Sequence, residues 1–128
     1  MFRKIMIWPN QILRAPNETV TDVNEVQDLI KDLIDTCNVA MGAGLAAPQI
    51  AQNKKVVVIK PKVFGIDNPD PSEYNPDYMV LINPELENTG DEIKWKEACL
   101  SIPDIDSYIM RKETTLVKYL NEKGEQKR

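Results

Sequence analysis

The sequence predicts an α+β fold in which one helix packs against mainly antiparallel sheet. Three observations carry that expectation. A single long apolar run at helical spacing lies near the N-terminus, several short β-branched runs follow it, and Asn-, Gly- and Pro-rich turns separate them. At 128 residues, 42% hydrophobic and 28% charged, the chain suits one domain around one core.

The first sixteen residues carry Ile5, Ile7, Ile12 and Leu13 but are broken by Pro9 and Pro16, so they read as an extended arm with turns. Val23, Val26, Leu29, Ile30, Leu33, Ile34, Cys37 and Met41 then recur at helical spacing and predict a helix over 23–41. Thr21 or Asp22 can cap its start, and Gly42 fits the left-handed position just past its end. Lys55 to Ile59 is apolar on both faces and reads as a strand buried in a sheet. Four of the nine prolines fall between Pro61 and Asp77, which reads as an exposed loop. Strands follow at 79–82, where Asn83-Pro84 ends or bends the run, at 93–102 and at 114–120. Asn121 to Glu125 reads as a hairpin turn with Gly124 at positive φ, and Gln126 begins a return strand. Three residues of return strand are too few to complete a hairpin, so the chain is expected to be a single domain truncated before its fold is complete.

Composition narrows the chemistry. Sixteen basic against twenty acidic residues leave a net charge of −4, which argues against broad nucleic-acid binding. No apolar run reaches the length of a membrane span, and the first eight residues lack the pattern of a secretory signal. Two cysteines make no disulfide framework and favour a reducing compartment. Histidine is absent, which excludes Ser-His-Asp and Cys-His catalysis and any imidazole-dependent zinc site within these residues.

Two segments carry candidate chemistry. In Gly42-Ala-Gly-Leu-Ala-Ala-Pro-Gln49 the small residues let a backbone come close to something else, either a packed strand or a ligand. Gln49 adds an amide donor and acceptor directly after them. In the second segment, extended backbone from Ile93 to Ser101 sets Trp95, Glu97, Cys99 and Ser101 on one face. An indole, a carboxylate and a thiol there suit a pocket wall with a metal ligand, while a small buried hydrophobe is the commoner fate of a free cysteine.

Together, Gly42-Ala-Gly-Leu-Ala-Ala-Pro-Gln49 and Glu97-Ala-Cys-Leu-Ser101 closely resemble the first two signature motifs of the peptide deformylases. The surrounding Ile12-Leu13-Arg14 arm, the helix, Val-Val-Val-Ile59, Leu-Ile-Asn-Pro84 and Ser-Ile-Pro103 match as well, so the resemblance spans almost all of the chain. It implies a metal-dependent hydrolase that removes the N-formyl group from the initiator methionine of nascent proteins. It implies a divalent metal, Fe²⁺ first and Ni²⁺, Co²⁺ or Zn²⁺ as replacements, with Cys99 as the thiolate ligand beside two histidines. It further implies oxyanion donors in the Gln49 amide and the Leu100 N–H, each commonly worth about 3 kcal/mol. Ala43 and Ala98 would pair with the substrate as an added strand, Gly44 would let it come close, Trp95 would form one wall of the methionine pocket, and Glu97 is a further substrate-binding candidate.

The sequence departs from the family pattern twice. Ala98 stands where the second motif usually has Gly; extended backbone tolerates the methyl, whereas positive φ there would cost about 1–2 kcal/mol. The third motif, His-Glu-x-x-His on a C-terminal helix, supplies both imidazoles and the general base and is absent here. These residues alone are therefore expected to hold metal weakly, to be inactive and to fold marginally, with the sheet face meant for that helix uncovered. The resemblance implies the formyl-Met nascent peptide as partner, the ribosome transiently, a monomer, and the cytoplasm of a bacterium or phage-infected cell. A formyl-peptide-binding module without catalysis is the alternative, and a plain thiol-bearing domain a third reading.

Overall fold

The computed structural model describes residues 1–66, 69–99 and 101–128, with the backbone alone for 88–99 and 102–115. The predicted helix divides in two. Val23–Val26 forms a 3₁₀ turn, started by Asp22, whose carboxylate accepts the Asn24 N–H at 3.0 Å, and α1 follows over Gln27–Ala40. Helix α1 buries Ile30, Leu33, Ile34, Thr36 and Cys37. Met41, expected in that stripe, is instead 87% exposed. It takes the left-handed conformation (φ 55°) assigned above to Gly42, which follows it and donates its N–H to the Cys37 carbonyl at 3.0 Å. Positive φ sets Cβ against the backbone at a cost of about 1–2 kcal/mol, offset by the cap bonds that the Met41 and Gly42 N–H groups make to the Asn38 and Cys37 carbonyls.

Five strands form one antiparallel sheet in chain order: β1 Gly44–Ala46, β2 Val56–Ile59, β3 Met79–Cys99, β4 Ile102–Leu120 and β5 Gln126–Lys127. The α+β class is as the sequence predicts. Along β2, Val56 and Val58 are fully buried against α1, while Val57 and Ile59 pack on the other face with Met79, Leu81 and Tyr119. That two-sided burial is why the run is apolar throughout.

The strands read separately at 79–82 and 93–102 are one strand, β3. Asn83 takes φ 51° and the register shifts between Ile82 and Glu85, so the chain bends and pairing resumes beyond Pro84. β3 stops at Cys99, which pairs with Ile102; Ile102 therefore belongs to the opposing strand. The 114–120 run is the last part of β4. The loop from Pro61 to Asp77 opens with a 3₁₀ turn over Pro61–Phe64. It is also less exposed than its composition suggests, because buried Ser72 donates to the Glu122 carboxylate at 2.8 Å. Gly124 has φ 81° in the 121–125 turn, where the Asn121 carboxamide oxygen accepts from the Lys123 and Glu125 N–H groups. The N-terminal arm crosses the domain, fastened by Arg3 N–H to the buried Thr36 hydroxyl at 2.8 Å.

Candidate functional site

Helix α1 delivers the chain into the first candidate segment through its left-handed cap. Among the described residues β1 is an edge strand, paired with β2 alone. The Ala43 carbonyl accepts the Lys60 N–H at 2.8 Å, so it faces β2. Alternation then turns the N–H and C=O of Gly44 and Ala46 to the outer edge. The close approach that Gly44 allows is to β2: a Cβ there would lie 3.0 Å from the Val58 carbonyl oxygen and 3.2 Å from Ile59 Cγ2.

A 3₁₀ turn over Ala47–Ile50 follows, anchored by buried Ala47, Pro48 and Ile50 and closed by Ala51 at φ 65°. Half-buried Gln49 projects from it. Its Oε1 accepts the Ala46 N–H at 3.0 Å and its Nε2 donates to Ser101 Oγ at 3.0 Å. The Ala46 N–H thereby sets which end of the amide is oxygen, and the nitrogen faces the second segment.

In that second segment Trp95 pairs with Ile109, Glu97 with Ser107, and Ala98 with Asp106 inside β3, so Ala98 is extended. The side chains of Trp95, Glu97 and Cys99, and Leu100 as a whole, lie outside the described residues. Ser101, in the connection between β3 and β4, is 3% exposed. The two motifs, 52 residues apart at their closest described bond, thus meet at the Gln49 amide.

Sequence alone assigns three contributors no role, although it places Ser101 on the face of Cys99. Ser101 was readable from its place two residues after Cys99. Met6 and Trp8 were not: they donate backbone N–H groups, to the Gln49 carbonyl at 2.6 Å and the Ser101 carbonyl at 2.8 Å, and any residue but proline can do that. The second thiol plays a structural part. Cys37 is fully buried in the core, its Sγ donating to the Gly42 carbonyl at 3.3 Å, and burial pushes its pKa up.

Among the described residues no three of His, Cys, Asp or Glu come together, and the sequence holds no histidine. A single motif thiol cannot make the three-ligand sphere of a catalytic metal, so these 128 residues do not fit one unaided. Among the described residues, too, no helix is long and apolar enough to cross a membrane.

Fold and site together define an α+β protein with a polar site where an edge strand meets the long hairpin of an antiparallel sheet. The family model described as polypeptide deformylase matches residues 2–128. A peptide deformylase of Aquifex aeolicus is 41% identical over 126 residues, covering 98% of this chain and 70% of its own length. Peptide deformylase 2 of Clostridium perfringens is 42% identical, covering 98% and 74%. The crystal structure of peptide deformylase from Ehrlichia chaffeensis superposes with a TM-score of 0.84 at 29% identity, over 98% of this chain and 72% of that one. The chain belongs to the peptide deformylase family. The family's function is hydrolytic removal of the formyl group from the initiator methionine, and it implies a divalent metal.

Proposed function

We propose that residues 1–128, taken as one domain, bind the formyl-methionyl end of a nascent peptide along the outer edge of β1. The peptide adds as a strand, using the outward backbone groups of Gly44 and the Ala46 carbonyl on one side and the backbone of Ala98 on the other; Ala43, expected from sequence to pair with it, instead gives its carbonyl to the Lys60 N–H on the β2 side. The Gln49 amide and the Leu100 N–H donate to the formyl oxygen, and Trp95 and Glu97 line the methionine pocket. The observation that carries this reading is the Gln49 amide, held at both ends with its nitrogen turned to the Cys99-bearing hairpin, 3.0 Å from Ser101 Oγ. A donor fixed before substrate arrives need not reorganise when charge develops on the oxygen.

Cys99 is the thiolate we assign to the metal, with Fe²⁺ first among the candidate ions. No hydrolytic step follows from these residues, because the imidazole ligands and general base of the family are not among them. For the 128-residue polypeptide itself, that absence favours binding without turnover. We also propose a monomer that meets the ribosome transiently in the bacterial cytoplasm, on the strength of its bacterial relatives.

The test is titration of the chain with formyl-Met-Ala-Ser and with Met-Ala-Ser in the presence of chelator. The formylated peptide should bind more tightly, by roughly tenfold, with the preference lost in Gln49→Ala. Equal affinity for the two peptides would refute the reading.

A further inference from the structure

The geometry points to Ser101 as a positioning residue for Gln49, held in place by the N-terminal arm. Three bonds and the chain from Met6 to Trp8 form a closed circuit, and a fourth, from Ala46, orients the amide within it. Gln49 Nε2 donates to Ser101 Oγ (3.0 Å), Ala46 N–H donates to Gln49 Oε1 (3.0 Å), Met6 N–H to the Gln49 carbonyl (2.6 Å) and Trp8 N–H to the Ser101 carbonyl (2.8 Å). Ala46 sets the sense of the amide, and Ser101 Oγ is a partner that holds its nitrogen. Because Ser101 is 3% exposed, water replaces its hydroxyl poorly once that is removed. The arm fixes the separation. Residues 6 and 8 are two apart in the chain, and each takes hold of one member of the pair, so the 3₁₀ turn and the β3–β4 connection are tied to one short rod. Met6 is steadied in turn by Asn10, whose Nδ2 lies 3.5 Å from its sulfur. The part played by Ser101 and the arm is to hold the Gln49 donor still.

The inference rests on the reading of Gln49 as the formyl-oxygen donor, and two readouts keep the two claims apart. The first is exchange of the Gln49 side-chain NH₂ protons with solvent, followed by NMR in the ¹⁵N-labelled chain. Ser101→Ala should speed it about tenfold, Ser101→Thr should restore it to within about threefold, and Met6→Pro, which deletes one N–H of the arm, should speed it as well. Unchanged exchange in a folded Ser101→Ala variant, or acceleration that Thr fails to rescue, would overturn the positioning role. The second readout is the dissociation constant for formyl-Met-Ala-Ser. Ser101→Ala and Gln49→Ala should each raise it, and the double variant should be no weaker than Gln49→Ala alone, since two residues acting through one bond are not additive. An additive double variant would count against the positioning role. Peptide affinity insensitive to Gln49→Ala, with amide exchange still accelerated by Ser101→Ala, would remove the donor reading and leave the positioning geometry supported.

Discussion

The carboxamide of Asn83 pairs with both backbone groups of Val20: its Oδ1 accepts the Val20 N–H and its Nδ2 donates to the Val20 carbonyl, each at 2.8 Å. A side chain here completes what a neighbouring strand would otherwise supply, at the bend where β3 passes the end of its pairing with β2 and shifts register against β4. The Asn83 N–H meanwhile donates to the Lys55 carbonyl at 2.8 Å. Asn83→Ala loses both side-chain bonds and places an alanine at φ 51°; it should lower stability by about 2–4 kcal/mol in denaturant melts. Asn83→Gly keeps the conformation and should cost less than Ala. A glycine variant less stable than the alanine one would show that the left-handed backbone contributes nothing.

Gly44 is set by its distance to β2. A methyl 3.0 Å from the Val58 carbonyl oxygen forces β1 away from β2, and Gly44→Ala should cost about 1–3 kcal/mol as a fall in melting temperature. Formyl-peptide affinity should fall in parallel, because the displaced strand is the one proposed to receive the peptide.

The polypeptide of residues 1–128 supplied with Fe²⁺ or Ni²⁺ should release no formate from formyl-Met peptides above background. Its metal affinity should be lost on Cys99→Ala and should be weak before that, as one thiolate without imidazole partners predicts. Turnover by this polypeptide would contradict the donor-set argument directly.

Cys37 and Tyr78 make the domain sensitive to alkali. Burial is the main cause that raises both pKa values, from ordinary values of 9.0 for the thiol and 10.0 for the phenol; the nearby phenol tempers the thiol's rise, and the thiol adds to the phenol's. Both groups are neutral when protonated, so the folded state holds its protons at a pH where the unfolded chain has given them up. The stabilising contribution is therefore complete below about pH 9 and declines as pH climbs beyond it. Thermal melts between pH 7 and 11 should show that decline, and it should persist in Cys99→Ala. In the same variant, native protein at pH 8 should resist iodoacetamide, with one thiol becoming reactive only in denaturant.

From its sequence the chain decides its α+β class, the helix after Asp22, the apolar β2 run, the Gly124 turn and the two motifs, because each is written in local periodicity or in side-chain types at short spacing. What tertiary structure alone decides is how distant pieces share hydrogen bonds. That β3 continues past Asn83-Pro84 depends on Val20, sixty-three residues away, satisfying the bend. That Met41 and not Gly42 turns left-handed goes with the cap bonds that close the helix there, the Met41 N–H on the Asn38 carbonyl and the Gly42 N–H on the Cys37 carbonyl. That Gln49 faces Ser101 depends on the arm, whose part is played by backbone N–H groups that every residue but proline carries. Periodicity records which residues are buried. It leaves no trace of which buried polar group answers which, and in this domain that pairing is what draws the two motifs into one site.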